Sequence, residues 1–426
     1  MLNRLKNSEL IKNAAFLIGS NGLAQIATLL IYPFIARLYT PDEFGQLAVI
    51  ISIHSLIVTV ASGRYEQAII LPKNAVQASD LFTIGWRIAV IISLLIAPVV
   101  FLIQRIGFNL DADYKINFWF YLLGIMVFTA AYQQLVNGWC IRYKMFKIIV
   151  GSMLVMSLSN AILKLILGFL KIPDGLLYSF FVAQIITALF LFVIIRRNSN
   201  RPLVTHCTAD ILVTAKAYSN FPKYNMITAL LNTFSSNLPI YALALYFSGN
   251  LTGQFSIAFA LLFRPVSTYN SSVYQVLMQK LVEMKHSGSA IWPMIKKYIS
   301  KTLFLTIGPG IILMLLIPQI IRIYLGDNWT EAGRFCQLII PYAVGALISG
   351  SLAFVPNIFN KQLKSLIIDV VYLLMRTGAL AVGIVLRNVY IAVGLYALAG
   401  VMVVSYQIFW YRKLLIESDR IIGIQG

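Results

Sequence analysis

Five basic side chains stand inside or beside stretches of sequence too apolar for water: Arg37, Arg87, Lys164, Arg264 and Arg376. A cation at the centre of a bilayer costs about 2.5–3.5 kcal/mol on the insertion scale, and such residues face a bundle interior or water. Acidic partners in the same stretches are scarce, with Glu66 and Asp369 the main candidates. Several cations facing one lumen repel each other unless an anion from outside neutralises them. The chemistry these residues suit is therefore noncovalent, the reversible binding of an anionic ligand. Guanidinium forks match the oxygens of a phosphate especially well.

Spacing sorts the candidates. Ser157, Asn160 and Lys164 fall at i, i+3 and i+7, on one helix face, and predict a polar face toward a lumen. Arg264 precedes Pro265, where a kink would free backbone carbonyls, and it is expected to face the same space. Arg37 and Arg87 lie near span ends, where lumen exposure competes with snorkelling to the interface. Asp369, Tyr372 and Arg376 repeat the i, i+3, i+7 pattern. They form either a self-neutralising structural stripe, a gate or a site of ion coupling. Arg64 and Glu66, after the second span, read as a surface pair of small energetic weight, with a topological or gate role.

Amides and hydroxyls continue the theme. Asn21, Gln25, Thr28 and Tyr32 share one face of the first span, and Thr129, Gln133 and Asn137 one face of the fourth. Such groups hydrogen-bond sugar hydroxyls, or bond neighbouring helices at about 0.6 kcal/mol each. As a set they predict a wet central cavity.

Covalent chemistry finds no support. The sequence has no nucleophile elbow, phosphate-binding Walker loop, HExxH pair or dinucleotide fingerprint. Cys140, Cys207 and Cys336 are isolated, as are His54, His206 and His286, so neither a disulfide framework nor a metal site is expected. No cofactor is expected, and a transporter is favoured over an enzyme.

The elements that position these residues are spanning helices. Of 426 residues, 59% are hydrophobic and 12% charged; a soluble domain is about half apolar and a quarter charged. The expected spans are 12–38, 44–63, 81–103, 118–140, 148–170, 176–195, 220–246, 252–273, 302–325, 335–357, 364–386 and 391–411. Each reaches or approaches the roughly 20 residues a bilayer requires. The fold class is all-α and polytopic, with about twelve spans. The first apolar stretch reads as a span, not a removable signal.

Seven basic clusters alternate with these spans and hold 22 of the 34 Lys and Arg residues. This is the positive-inside pattern, and it places both termini in the cytoplasm. It also accounts for the net charge of +19 without nucleic acid. The polar connections 196–219 and 274–301 are the longest, both on the basic side. The first divides the chain into a six-helix lobe (1–200), a linker (201–219) and a second lobe (220–426). Asn21, Gln25 and Thr28 recur as Thr228, Asn232 and Ser235 at an offset of 207, Pro33 as Pro239 at 206, and Gly45-Gln46 as Gly253-Gln254 at 208. Six spans per lobe make this a parallel repeat about an axis along the membrane normal. Trp119, Tyr121, Trp329, Tyr390, Trp410 and Tyr411 fall near span ends, where interfacial aromatics concentrate.

The segment Pro33-Phe-Ile-Ala-Arg-Leu-Tyr-Thr-Pro-Asp-Glu-Phe-Gly-Gln-Leu47 resembles the first hairpin of the polysaccharide transporter family, the Wzx-type O-antigen flippases. Arg64-Tyr-Glu-Gln-Ala-Ile-Ile-Leu-Pro72 is similar to the motif after their second span, and Gly253-Gln-Phe-Ser-Ile-Ala-Phe-Ala260 with Arg264-Pro265 echoes them in the second half. The resemblance implies the multidrug/oligosaccharidyl-lipid/polysaccharide exporter fold. It implies flipping of an undecaprenyl-pyrophosphate-linked oligosaccharide across a bacterial inner membrane, with a polysaccharide polymerase and a chain-length regulator as candidate partners. It also implies an anion-binding role for Arg37, Arg87, Lys164, Arg264 and Arg376. The rivals are a cation-coupled drug exporter of the same fold, for which acidic cavity residues are expected, and a membrane-embedded polymerase or ligase, which needs a large outer loop.

Overall fold

Thr40-Pro41-Asp42-Glu43 carries a complete helix start, and the chain uses it. The structure, a computed structural model, describes residues 30–106, 118–198, 210–287 and 289–421. Helix α1 (30–38) leads into a turn at Tyr39, and α2 (Pro41–Ala61) follows. The Glu43 N–H donates to Thr40 Oγ1 (3.3 Å), and the Thr40 N–H donates to the Glu43 carboxylate (2.8 Å). Pro41 fills the first helical position, where no N–H is needed.

The remaining helices are α3 (Tyr65–Ala68), α4 (Ala75–Arg105), α5 (Phe118–Arg142), α6 (Phe146–Phe169), α7 (Gly175–Asn198) and α8 (Asp210–Ala217), then α9 (Met226–Tyr246), entered through a π turn at Phe221–Asn225, α10 (Gly249–His286), α11 (Trp292–Leu325), α12 (Thr330–Ser351), α13 (Val355–Ile358), α14 (Gln362–Val385) and α15 (Val389–Ile421). Among the described residues nine helices are long and apolar enough to cross a membrane. Helices α9 and α10 occupy the two further places expected at 220–246 and 252–273. No strand occurs among the described residues, as hydrocarbon demands of backbone groups that must be paired locally.

The helices cluster into two compact units, residues 1–253 and 254–426. In the first, α4 packs on α5, α6 on α7 and α2 on α9. Its core includes Phe82, Leu135, Trp139, Ile149 and Leu191. In the second, α12 and α14 pack on α15, and α11 on α12.

The stretch 274–301, expected as a polar connection, is mostly helical. Helix α10 runs on to His286 and α11 begins at Trp292. Leu277 and Leu281 are one helical turn apart, and they join Ile295, Trp410, Leu414 and Leu415 in one core. That apolar contact holds the helices together despite the lysines around them. The carboxylate of Asp419, buried near the end of α15, accepts from the Ile291 N–H (2.9 Å) and the Trp292 N–H (2.8 Å). It caps the start of α11, satisfying donors that a helix end leaves open. Asp419→Ala should lower stability by about 1.5–3 kcal/mol, the range for hydrogen bonds to a charged group; thermal unfolding of the purified protein in detergent measures it.

The aromatic residues at span ends divide. Trp119, Trp329, Trp410 and Tyr411 are buried, so they pack within the protein and not at lipid headgroups. Trp119 Nε1 donates to Asp174 Oδ2 at 2.9 Å, joining α5 to the α6–α7 turn. Tyr390 is partly exposed.

Candidate functional site

The seam between α2 and α9 carries a ladder of polar contacts within the first unit. The helices run antiparallel, and their partners pair at a nearly constant register. Tyr241 Oη donates to the Ser52 carbonyl (2.9 Å), Asn237 Nδ2 to Ser55 Oγ (3.2 Å), and the Thr59 and Thr233 hydroxyls lie 3.1 Å apart. Val49, Ile53, Ile240 and Ala244 fill the apolar side. Beyond the seam, Asn250 Nδ2 donates to Asp42 Oδ2 (3.1 Å). At Gly253 a Cβ would lie 1.8 Å from the Pro41 carbonyl oxygen and 2.8 Å from the Gly45 nitrogen. The two Gly-Gln pairs of the sequence repeat both lie within helices, near the starts of α2 and α10, and meet through Gly253 and Gly45. The side chain of Gln254 accepts from the Ala332 N–H (2.8 Å) in the first turn of α12. Ser52, Ser55 and Thr59 form a small-polar stripe on α2 that sequence reasoning passed over. Its i, i+3, i+7 spacing was a usable signal; its partner, far along the chain, was not.

The motif Arg64–Pro72 is a folded turn. Arg64 has a left-handed backbone (φ 62°), Glu66 is buried, and Arg64 Nη1 lies 3.3 Å from Glu66 Oε1. The Ser62 hydroxyl also donates to Glu66. The pair therefore forms, but inside the protein and not on its surface. A Cβ at Gly138 of α5 would lie 2.4 Å from the Glu66 carbonyl oxygen. Arg142 Nη1 donates to the carbonyls of Ile69 (3.1 Å) and Pro72 (2.5 Å), and its Nη2 to that of Asn74 (3.3 Å). Burial raises the Tyr65 phenol above its ordinary range.

The predicted site residues are distributed as follows. Asn21 and Gln25 lie outside the described residues. Arg37, Arg87 and Arg264 have exposed side chains, and Lys164 is half-buried. The turn after Arg37 is tied to the helix bearing Lys164, because Tyr39 Oη donates to the Lys164 carbonyl (2.8 Å). Burial, then Glu43, pushes the Tyr39 phenol up to about 12. One turn before Lys164, Asn160 Oδ1 is buried and accepts no hydrogen bond among the described residues. Asn137 Oδ1 is in the same state. Thr129, from the same stripe as Asn137, is engaged structurally: its hydroxyl donates to Gln184 Oε1 (3.0 Å), beside His54, whose Nε2 lies 3.1 Å from the Met126 carbonyl oxygen.

In the second unit Arg376 is 5% exposed. Its Nη2 donates to Tyr372 Oη (2.6 Å) and Tyr342 Oη (3.0 Å). Its guanidinium carbon lies 3.8 Å from the Tyr372 ring centre and 4.9 Å from that of Tyr396. Asp369, half-buried, lies on the same face of α14. The expected stripe is present, and Tyr342 and Tyr396 extend it into a cage contributed by α12, α14 and α15. No group of three or more His, Cys, Asp or Glu suited to a metal occurs among the described residues.

The fold matches solved membrane transporters. A lipid II flippase MurJ in an inward closed conformation aligns with TM-score 0.73 at 12% identity, covering 95% of this chain and 91% of that one. An inward-facing multidrug resistance MATE family transporter of the MOP superfamily aligns with TM-score 0.68 at 12% identity, covering 93% and 96%. A MOP superfamily transporter from Pyrococcus furiosus, described as having a binding pocket of reverse polarity, gives 0.56 at 13% identity, covering 96% of both. At these identities the likeness establishes the fold. No curated protein matches the sequence. Residues 34–334 match the family of polysaccharide biosynthesis proteins. That match covers most of the chain, and the protein belongs to the polysaccharide biosynthesis protein family.

Proposed function

We propose that the protein is a flippase that carries an undecaprenyl-pyrophosphate-linked oligosaccharide, an O-antigen or similar surface-polysaccharide unit, from the inner to the outer leaflet of a bacterial inner membrane. The observation that carries this reading is the pairing on α6 of an unsatisfied buried amide oxygen, Asn160 Oδ1, with Lys164 one turn on. A sugar hydroxyl can donate to the amide oxygen, and the Lys164 ammonium supplies positive charge beside it for a pyrophosphate oxygen. Arg37, Arg87 and Arg264, exposed on helices of a transporter fold, extend the attraction for an anion. Asn21 and Gln25 are further candidate sugar contacts. Arg376, already enclosed by tyrosines, serves in this reading as a structural charge.

The physical task fits. Each sugar hydroxyl moved unpaired into an alkane-like medium costs several kcal/mol, so the head needs a polar route while the tail stays in lipid. An anion moving outward down an inside-negative potential gains about 2.3 kcal/mol per charge per 100 mV. The potential thus supplies a driving force without an obligatory co-transported ion; Asp369, with Arg64 and Glu66 as gate residues, is the candidate coupling site. A polymerase and a chain-length regulator, which use the delivered unit, are the proposed partners.

Lys164→Ala and Arg264→Ala should each reduce surface polysaccharide by about tenfold if each removes one charge-assisted contact to the moving phosphate. The double variant should be more severe, with unchanged protein in the membrane. Immunoblotting of membranes beside electrophoresis of the surface polysaccharide reads both quantities. Wild-type export in both single variants and the double variant would remove the cationic site.

A further inference from the structure

Helix α10 is longer than a bilayer requires, yet among the described residues it is not one of the nine helices apolar enough to count as spans. The polar residues of its middle are not scattered. Arg264, Ser267, Thr268, Ser271 and Gln275 fall at i, i+3, i+4, i+7 and i+11, on one face. Arg264, Ser267, Ser271 and Gln275 are exposed there, and Thr268 is half-buried. Val266 and Leu277, on the opposite face, are buried. Ile257 lies on the polar face two turns nearer the start of the helix, and it is only 1% exposed. The open stripe therefore begins at Arg264 and runs toward Lys280, at the basic end of the helix.

Depth and chemistry limit what can lie on this face. At about 1.5 Å per residue, Arg264 stands about 22 Å along α10 from Gly249, and Gln275 about 39 Å. The hydrocarbon core is about 30 Å thick. With the lysines inside, the stripe starts within that core and ends on the cytoplasmic side. A cation at such a depth faces water or a polar ligand, not lipid. The hydroxyls are already oriented. Ser267 Oγ donates to the Arg264 carbonyl (2.8 Å), Thr268 Oγ1 to the same carbonyl (3.1 Å) and Ser271 Oγ to the Thr268 carbonyl (2.9 Å). Each uses its one hydrogen within the helix, which leaves oxygen lone pairs to accept from a ligand. Gln275 adds an amide that both donates and accepts. The face is a row of acceptors at one-turn intervals with a guanidinium at its membrane end. Its complement is a chain rich in O–H donors that carries an anion at one end. A glycan joined to a phosphate has both; an acyl chain has neither.

We propose that this face of α10 is the track on which the sugars of the lipid-linked substrate lie, with the pyrophosphate at Arg264 and successive sugars at Ser267, Ser271 and Gln275. The inference rests on the flippase reading above and names the residues that recognise the glycan. From the membrane core to the cytoplasm the track reads phosphate, then sugars. A lipid-linked oligosaccharide in the inner leaflet has the same order, so it can load without turning over.

The test uses the full chain in vesicles and compares two lipids, the lipid-linked oligosaccharide isolated from the host bacterium and polyprenyl pyrophosphate without sugar. The wild-type protein should bind the first more tightly. The combined variant Ser267→Ala, Ser271→Ala, Gln275→Ala should reduce that preference by about tenfold, the scale of one or two net hydrogen bonds. Arg264→Gln should weaken both lipids by a similar factor. A wild-type protein without the preference, or a combined variant that keeps it, would overturn the proposal. Single cysteines give an independent reading. Ser267→Cys, Ser271→Cys and Gln275→Cys should each react with a membrane-impermeant maleimide supplied from the cytoplasmic side, read on the modified peptide by mass spectrometry. The lipid-linked oligosaccharide should protect them, and the bare lipid should not. Val276→Cys, exposed on the neighbouring face, should be indifferent to either. No reaction at the three positions would turn the face to lipid, and reaction without protection would make it a wall lined by water only; each result overturns the proposal. Translocation of the same oligosaccharide by the wild-type protein is measured in parallel. Translocation without protection defeats the track alone; protection without translocation supports the track and defeats the flippase reading.

Discussion

Gly253→Val should abolish polysaccharide export while the chain still reaches the membrane. Any side chain at this position meets backbone, not a flexible side-chain tip. The nearest atoms are the Pro41 carbonyl oxygen, 1.8 Å from where the Cβ would sit, and the Gly45 nitrogen, 2.8 Å away. Helix α2 cannot yield at one residue, because its start is fixed by the Thr40–Glu43 capping box. The N-terminus of α10 must therefore move away from α2, breaking the 3.1 Å bond between Asn250 and Asp42. Overpacking a fitted contact costs about 1–3 kcal/mol, and more where nothing relaxes. If the close approach of these helices is one state of a transport cycle, that cost empties the state. Cysteines at positions 42 and 250 report it directly: they should form a disulfide in an otherwise unchanged chain and fail to do so with Val at 253. Retained cross-linking together with retained export would show that the contact has no functional weight. Gly253→Ala should fall between the two, since even one methyl group overlaps the carbonyl.

The second large effect is expected at Arg376, where the conservative replacement should not rescue. Lys keeps a charge in a site only 5% exposed but loses the planar fork that reaches both Tyr342 and Tyr372. It also loses the flat face that lies 3.8 Å from the Tyr372 ring centre. An ammonium is more strongly hydrated than a guanidinium and cannot stack. Hydrogen bonds to a charged group contribute about 1.5–3 kcal/mol, and a desolvated cation–π contact about 2 kcal/mol. Because the burial penalty of the charge remains, Arg376→Lys should lose at least about 2–4 kcal/mol, as much as Arg376→Ala or more. Thermal unfolding in detergent and steady-state abundance in membranes measure this. Full stability of the Lys variant would mean that the tyrosines tolerate any cation.

Local signals made much of the fold legible. Long apolar runs between basic clusters marked the spans, and Tyr39–Thr40 and Gly326 interrupt helices near where the hydropathy falls. Signals shared between distant segments were harder to read. The sequence shows Ser52, Ser55 and Thr59 on one face, yet nothing local says that Thr233, Asn237 and Tyr241 face them. The Asp369–Tyr372–Arg376 face was visible for the same reason, whereas Tyr342 and Tyr396, which complete the cage, come from other helices. Charge misled at both ends of 274–301: lysines suggested a loop, but Leu277, Leu281 and Ile295 had enough apolar surface to bury against α15. It misled again at Glu66, where a surface position was expected and close packing against Gly138 places the carboxylate inside. Of the candidate site, the helix face carrying Asn160 and Lys164 could be read directly, because both groups lie on one helix.

Transbilayer movement of a lipid-linked oligosaccharide in vesicles containing only this protein is the most direct measurement. The substrate is placed in the inner leaflet, and a membrane-impermeant glycosidase outside reads how much emerges. The predicted result is emergence that depends on the protein, speeds up when an inside-negative potential is imposed, and slows when Lys164 and Arg264 are both Ala. Emergence no faster than in protein-free vesicles, with the protein folded and correctly inserted, would contradict the proposed function.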